Sequence, residues 1–106
     1  MATSYFNMGY PWYSFVNVPA NGYRTIQFAN STRALVLTIG ASAEVQTMWI
    51  VAVSSGGSIT YSAVKSGSYI TASSPDTNQF RLSNSAGNIN PNLYVLCWTG
   101  TATKLD

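Results

Sequence analysis

The chain's hydrophobic pattern is concentrated between residues 34 and 53. Two apolar runs stand there, Ala34-Leu35-Val36-Leu37-Thr38-Ile39 and Met48-Trp49-Ile50-Val51-Ala52-Val53, separated by the small and polar segment Gly40 to Thr47. Both runs are too short for ordinary helices and rich in β-branched residues, so they predict two strands of a hairpin. A strand with one wet face alternates apolar and polar residues. These two do not: Leu35, Leu37 and Ile39 share one face but Val36 lies on the other, and Met48, Ile50 and Ala52 back onto Trp49, Val51 and Val53. A two-layer sandwich buries only one face of each sheet, so the second face requires a cover, either an arm or loop of the same chain or a second subunit.

On either side of this hairpin the pattern repeats in shorter form. Met1 to Pro11 is aromatic and broken by Gly9 and Pro11, which with Trp12 reads as an N-terminal arm over residues 1–12. A strand over Tyr13 to Val18 ends at Pro19, and Asn21-Gly22 suits a hairpin turn with positive φ. Tyr23 to Ala29 alternates, with Ile26 and Phe28 inward. Beyond Val53, alternation or β-branching marks Ser58 to Lys65, Tyr69 to Ala72, Asn78 to Asn84 and Asn92 to Thr99, with Ser-, Gly- and Asn-rich turns between them. Residues 100–106 form a tail expected to fray. No stretch carries the periodicity and caps of a helix. About eight strands at turn spacings of about 8–12 residues predict an all-β sandwich over residues 13–99, an antiparallel jelly roll or another Greek-key topology. The expected core is Phe28, Leu35, Leu37, Ile39, Ile50, Phe80, Leu82 and Val95. If those faces are inside, Trp49, Val51, Val53, Tyr94, Leu96 and Trp98 face outward as an oligomer interface, since such a patch exceeds what a monomer usually exposes.

Charge narrows the partners. Charged residues make up 8 % of the 106, against about 25 % in an ordinary domain. The bases Arg24, Arg33, Lys65, Arg81 and Lys104 are scattered, whereas nucleic-acid binding requires clustered Lys and Arg. Cys97 is the single cysteine, so no intrachain disulfide forms and an immunoglobulin domain built on one is excluded. It reads as a small buried hydrophobe. The start of the chain lacks a basic and apolar export signal, and no run approaches a membrane span, so membrane insertion is not expected.

The same inventory argues against catalysis. With no histidine, Ser–His and Cys–His arrangements are impossible and a zinc site has no ligand set. A carboxylate pair could come only from Glu44 and Asp76, isolated acids in turn segments that read as solvated. No enzyme, cofactor or metal is therefore expected. Binding or assembly remains. The fourteen aromatic residues, three Trp, seven Tyr and four Phe, combine flat apolar faces with polar tips suited to protein interfaces and sugar rings alike. Tyr10, Trp12 and Tyr23 stand beside breakers or on polar faces. With Asn21 in the adjoining turn and Asp76 in a separate loop, they are the candidate ligand-binding residues for an uncharged cell-surface glycan. The alternative is that all three rings pack into the fold or a subunit interface.

The stretch Phe28 to Gly40 (FANSTRALVLTIG), and Phe80 to Asn88 (FRLSNSAGN) followed by Asn92 to Leu96 (NLYVL), resembles the strand–turn–strand rhythm of C-terminal domains of bacteriophage and prophage tail fibres. The resemblance lies in low charge, Ser/Thr/Asn-rich turns and short strands over most of the chain. It implies a trimeric β-sandwich in a virion fibre, assembled in the bacterial cytosol and acting in host attachment through a glycan or protein receptor. A secreted carbohydrate-binding module or bacterial adhesin, with an extracellular location, is the alternative.

Overall fold

The computed structural model describes residues 12–106, and the side chains of residues 17–106. Nine strands and no helix occur among them: β1 Trp12–Asn17, β2 Tyr23–Phe28, β3 Arg33–Ile39, β4 Val45–Val53, β5 Ile59–Lys65, β6 Ile70–Ser73, β7 Gln79–Asn84, β8 Asn92–Thr99 and β9 Ala102–Leu105. All pairings are antiparallel. They build a five-stranded sheet of order β1-β8-β3-β4-β5 and a four-stranded sheet of order β6-β7-β2-β9, which is the two-layer sandwich the alternation predicted. Within the larger sheet β3, β4 and β5 follow one another by hairpins and β8 returns beside β3, a Greek-key order whose long connection runs through the other sheet. Among the described residues no helix is long and apolar enough to cross a membrane.

The central hairpin forms as expected, Ala34 opposite Val51 and Val36 opposite Trp49, but its faces are reversed. Directly opposed residues share a face. Val36 faces Trp49 on one side and Val95 on the other, so all three point into the sandwich, where each is at most 8 % exposed. Val51 and Val53, expected outside, are fully buried. Leu35, Leu37, Ile39 and Ile50, expected in the core, lie in the opposite rows, with Leu35 between Ile50 and Leu96 and Leu37 between Met48 and Tyr94; of the four, Leu37 is nonetheless buried as expected, at 7 % exposed. Two threonines mark the inner row. Thr38 and Thr47 are opposed and fully buried, and their hydroxyls satisfy each other at 2.6 Å. Phe28, Phe80, Leu82 and Val95 are core residues as expected.

An aromatic cluster joins the layers at the β5 side. Phe80 of β7 meets Tyr61 of β5 edge to face at 5.3 Å and Trp49 of β4 at 6.3 Å. The buried Trp49 Nε1–H has no nitrogen or oxygen partner among the described residues, and the surrounding rings supply only weaker π acceptors.

Two expectations about chain ends and turns are corrected. Residues 102–105 do not fray; they form β9 along β2, with Thr25 and Asp106 exchanging backbone hydrogen bonds at 2.9 Å. The turn at Asn21 exists but joins no hairpin. Gly22 N–H donates to Pro19 O at 3.0 Å and Asn21 takes φ 56°, the conformation required at the third position of a type II turn. It carries the chain from β1 in one sheet to β2 in the other.

Candidate functional site

The two outer faces of the sandwich differ in chemistry. On the five-stranded sheet the outward rows hold Leu35, Leu37, Ile39, Met48, Ile50 and, from β8, Tyr94, Leu96 and Trp98. Ile50 is 45 % and Trp98 56 % exposed, whereas Leu37 is buried and Leu35, Ile39, Met48, Tyr94 and Leu96 are half-buried. Of the six residues expected at an interface, Tyr94, Leu96 and Trp98 therefore lie on this apolar face, while Trp49, Val51 and Val53 do not. On the four-stranded sheet the outward rows are polar. Tyr23, Ser83 and Thr71 stand side by side across β2, β7 and β6, followed by Thr25, Arg81 and Ser73, then by Gln27 and Gln79.

The first of those polar rows floors an open groove of about 370 Å³, lined by Asn21, Gly22, Tyr23, Thr71, Ser83, Asn84 and Ser85. Its walls are held by backbone hydrogen bonds from Asn21 N to Ala86 O, Asn84 N to Gly22 O and Ser85 N to Tyr69 O, each 2.8–2.9 Å. Asn84, 3 % exposed, ties them together. Its Nδ2 donates to Val18 O and Ile89 O, and its Oδ1 accepts from Ala86 N. The structure thus brings Asn21 and Tyr23 together. Asp76 precedes the opposite end of β7 and spends its carboxylate on Thr77 N at 2.8 Å. Trp12, expected as the last residue of the arm over 1–12, opens β1 in the other sheet, opposite Leu96, and Tyr10 with the rest of that arm lies outside the described residues. Sequence reasoning missed Thr71, Ser83, Ser85 and Arg81. Alternation along Gln79–Asn84 places Arg81 and Ser83 outward, but nothing in the pattern says that β7 and β6 lie beside β2.

A second groove, about 250 Å³, is lined by residues that include Glu44, Gln46, Thr47, Lys65 and Tyr69. Its polar groups satisfy one another: Tyr69 Oη donates to Gln46 Oε1 at 2.6 Å, Gln46 Nε2 to Glu44 Oε2 at 3.1 Å, and Lys65 Nζ to Val45 O at 2.6 Å. Its own backbone N–H and the Gln46 amide hold the Glu44 carboxyl below the usual carboxylate range. An ionised, hydrogen-bonded acid of this kind is no proton donor at neutral pH. Among the described residues no three His, Cys, Asp or Glu side chains gather as a metal site.

Cys97 lies inward on β8, opposite Ala34, and burial pushes its thiol up to about 11. At pH 8 the thiolate fraction is then about two orders of magnitude below that of an unperturbed cysteine. A thiol reagent is expected to label the native protein at least about 100-fold more slowly than the unfolded chain. Because the folded protein keeps a proton that the unfolded chain releases, stability falls as pH rises from 9.0 towards about 11. Rapid native labelling at pH 8 would show the β8 thiol to be open to water.

Comparison with protein-family models, with curated proteins and with solved structures gave no match in any of the three.

Proposed function

We propose that this chain is a non-catalytic structural and receptor-binding domain of a phage tail fibre or a similar virion attachment structure, assembled as a homotrimer. The observation that carries this reading is the contrast between the two outer faces. The apolar face around Leu35, Ile50, Leu96 and Trp98 is suited to copies of the same chain, and the polar face around Tyr23 to the surroundings. Burying apolar area contributes about 25 cal/mol per Å² before the costs of association are subtracted. Closed cyclic symmetry is the usual solution for identical chains. The tail-fibre resemblance favours three copies, a site on the virion and a cell-surface glycan or protein as receptor.

Light scattering tests the assembly. The protein is expected at a multiple of 11.4 kDa, and the double variant Ile50→Glu, Trp98→Glu at a single chain mass with an unchanged β-type circular dichroism spectrum. Both side chains are exposed within one chain, so charge there leaves the fold intact while opposing association. A wild-type monomer with full stability at micromolar concentration rejects the fibre reading. The neutral groove at Tyr23 favours a second reading, a secreted carbohydrate-binding module or adhesin, which a sugar-binding monomer would support.

A further inference from the structure

We infer that the groove at Tyr23 binds an uncharged sugar, with Tyr23 as the stacking platform and Arg81 as the residue that positions its ring. The inference rests on the receptor-binding part of the function proposed above and deepens it by naming site and ligand class. Three observations lead there. The first is the lining. Asn21, Tyr23, Thr71, Ser83 and Ser85 supply an amide, hydroxyls and one aromatic face, the amide of Asn84 being held within the wall, and no lining side chain is charged. A charged ligand would gain nothing from such walls, whereas a sugar presents both C–H faces for a ring and hydroxyls for short polar side chains.

The second observation is what those side chains already do. Those of Asn21, Thr71 and Ser83 make no hydrogen bond among the described residues, so their capacity is open to a ligand. The groove at Glu44 differs, because its polar groups are spent on one another. The third is the state of the ring. Tyr23 is 52 % exposed, and the Arg81 guanidinium lies 4.0 Å from its centroid, fixed in turn by Nε donating to Thr25 Oγ1 at 2.9 Å. Arg81 takes one face of the ring and is absent from the groove lining, of which Tyr23 is part. An exposed tyrosine normally loses rotamer freedom when a ligand stacks on it; here the cation–π contact restrains it beforehand. The groove lies on the face of the sheet, where backbone groups are already paired, so a peptide strand finds no ladder to extend.

The test uses the whole chain on an array of uncharged and sialylated glycans, followed by 15N NMR titration with the strongest uncharged binder. Single-site sugar binding is expected in the range of about 0.1–10 mM. Amide shifts should concentrate at residues 21–23, 71 and 83–85. Tyr23→Ala should weaken binding by about tenfold or more with an unchanged melting temperature, and Tyr23→Phe should retain it. Arg81→Gln should weaken binding and Arg81→Lys restore most of it, with the Tyr23 ring resonances reporting the loss and recovery of the stacked position. A merely structural arginine would instead shift melting without this rescue. Absence of any uncharged binder, binding of sialylated glycans alone, or shifts confined to another surface overturns the proposal. Each of these outcomes leaves the light-scattering result on assembly untouched, so the two readings fail separately.

Discussion

Phe80→Ala is expected to lower the unfolding free energy by about 3–5 kcal/mol. The ring is fully buried and stands where the two sheets meet, edge to face with Tyr61 at 5.3 Å and Trp49 at 6.3 Å. Truncation removes the apolar transfer term, leaves a cavity between layers that are each held by their own hydrogen bonds, and takes away two aromatic contacts worth about 0.5–1.5 kcal/mol apiece, already contained in that total. A domain of this size holds about 5–15 kcal/mol in all, so the variant retains a marginal fold. In urea its midpoint should fall by about 2–3 M with little change in slope. Phe80→Leu, which keeps most of the volume, should cost less than about half as much. A loss below about 1 kcal/mol for the alanine variant would mean that β7 does not pack its ring against β4 and β5.

Gly100→Ala should be nearly as damaging, although it adds a single methyl group. Gly100 links β8 to β9 at φ +74°, where a side chain costs about 1–3 kcal/mol of backbone strain. A Cβ there would also stand 2.7 Å from Thr32 Cα and 2.8 Å from Thr32 Cβ, and against Oγ1 of the same residue. Thr32 cannot yield. It is fully buried, and its hydroxyl donates to Ala29 O at 2.8 Å while accepting from Thr101 N at 3.2 Å. Relief must come from β9 lifting off β2. The expected result is a loss of about 2–4 kcal/mol, a melting temperature lower by about 10–20 °C, and fast amide exchange at Ala102–Leu105. Slow exchange in that strand with unchanged melting would place the β8–β9 link elsewhere.

Strand positions were legible because each is bounded by residues with a physical reason to turn. Pro19 and Asn21, Gly56 and Gly57, and Ser66 to Ser68 fall between strands as read. Faces were not legible where both are apolar. Leu35 and Val36 are equally good core residues in isolation, and periodicity is silent on which of two apolar rows is inside. Pairing decides it. Val95 was correctly placed in the core, and Val36, not Leu35, stands opposite it. The expected core thus combined residues that cannot share a face, and only the register of β3 against β8 exposes the conflict. The ninth strand was hidden for another reason: Ala102–Leu105 has little apolar pattern of its own and gains order from β2. For the groove, Asn21 and Tyr23 were found together because they are two residues apart, one in the turn and one opening the strand that follows it. Their neighbours arrive from residues far along the chain, joined by pairings that no local signal encodes.

The place of β8 between β1 and β3 has a consequence for how the protein is made. As the chain emerges from its N-terminal side, β3, β4 and β5 can zip together by neighbouring hairpins. Until residues 92–99 follow, β3 presents one bare edge and β1 has no partner at all. The same holds for β2, which waits for β7 and then for β9. Such distant pairings make for slow folding, and they leave unpaired apolar strands exposed during synthesis. The sandwich closes only once β8 and β9 have joined, so until then β3 and β2 keep bare edges, the feature most open to pairing with another chain.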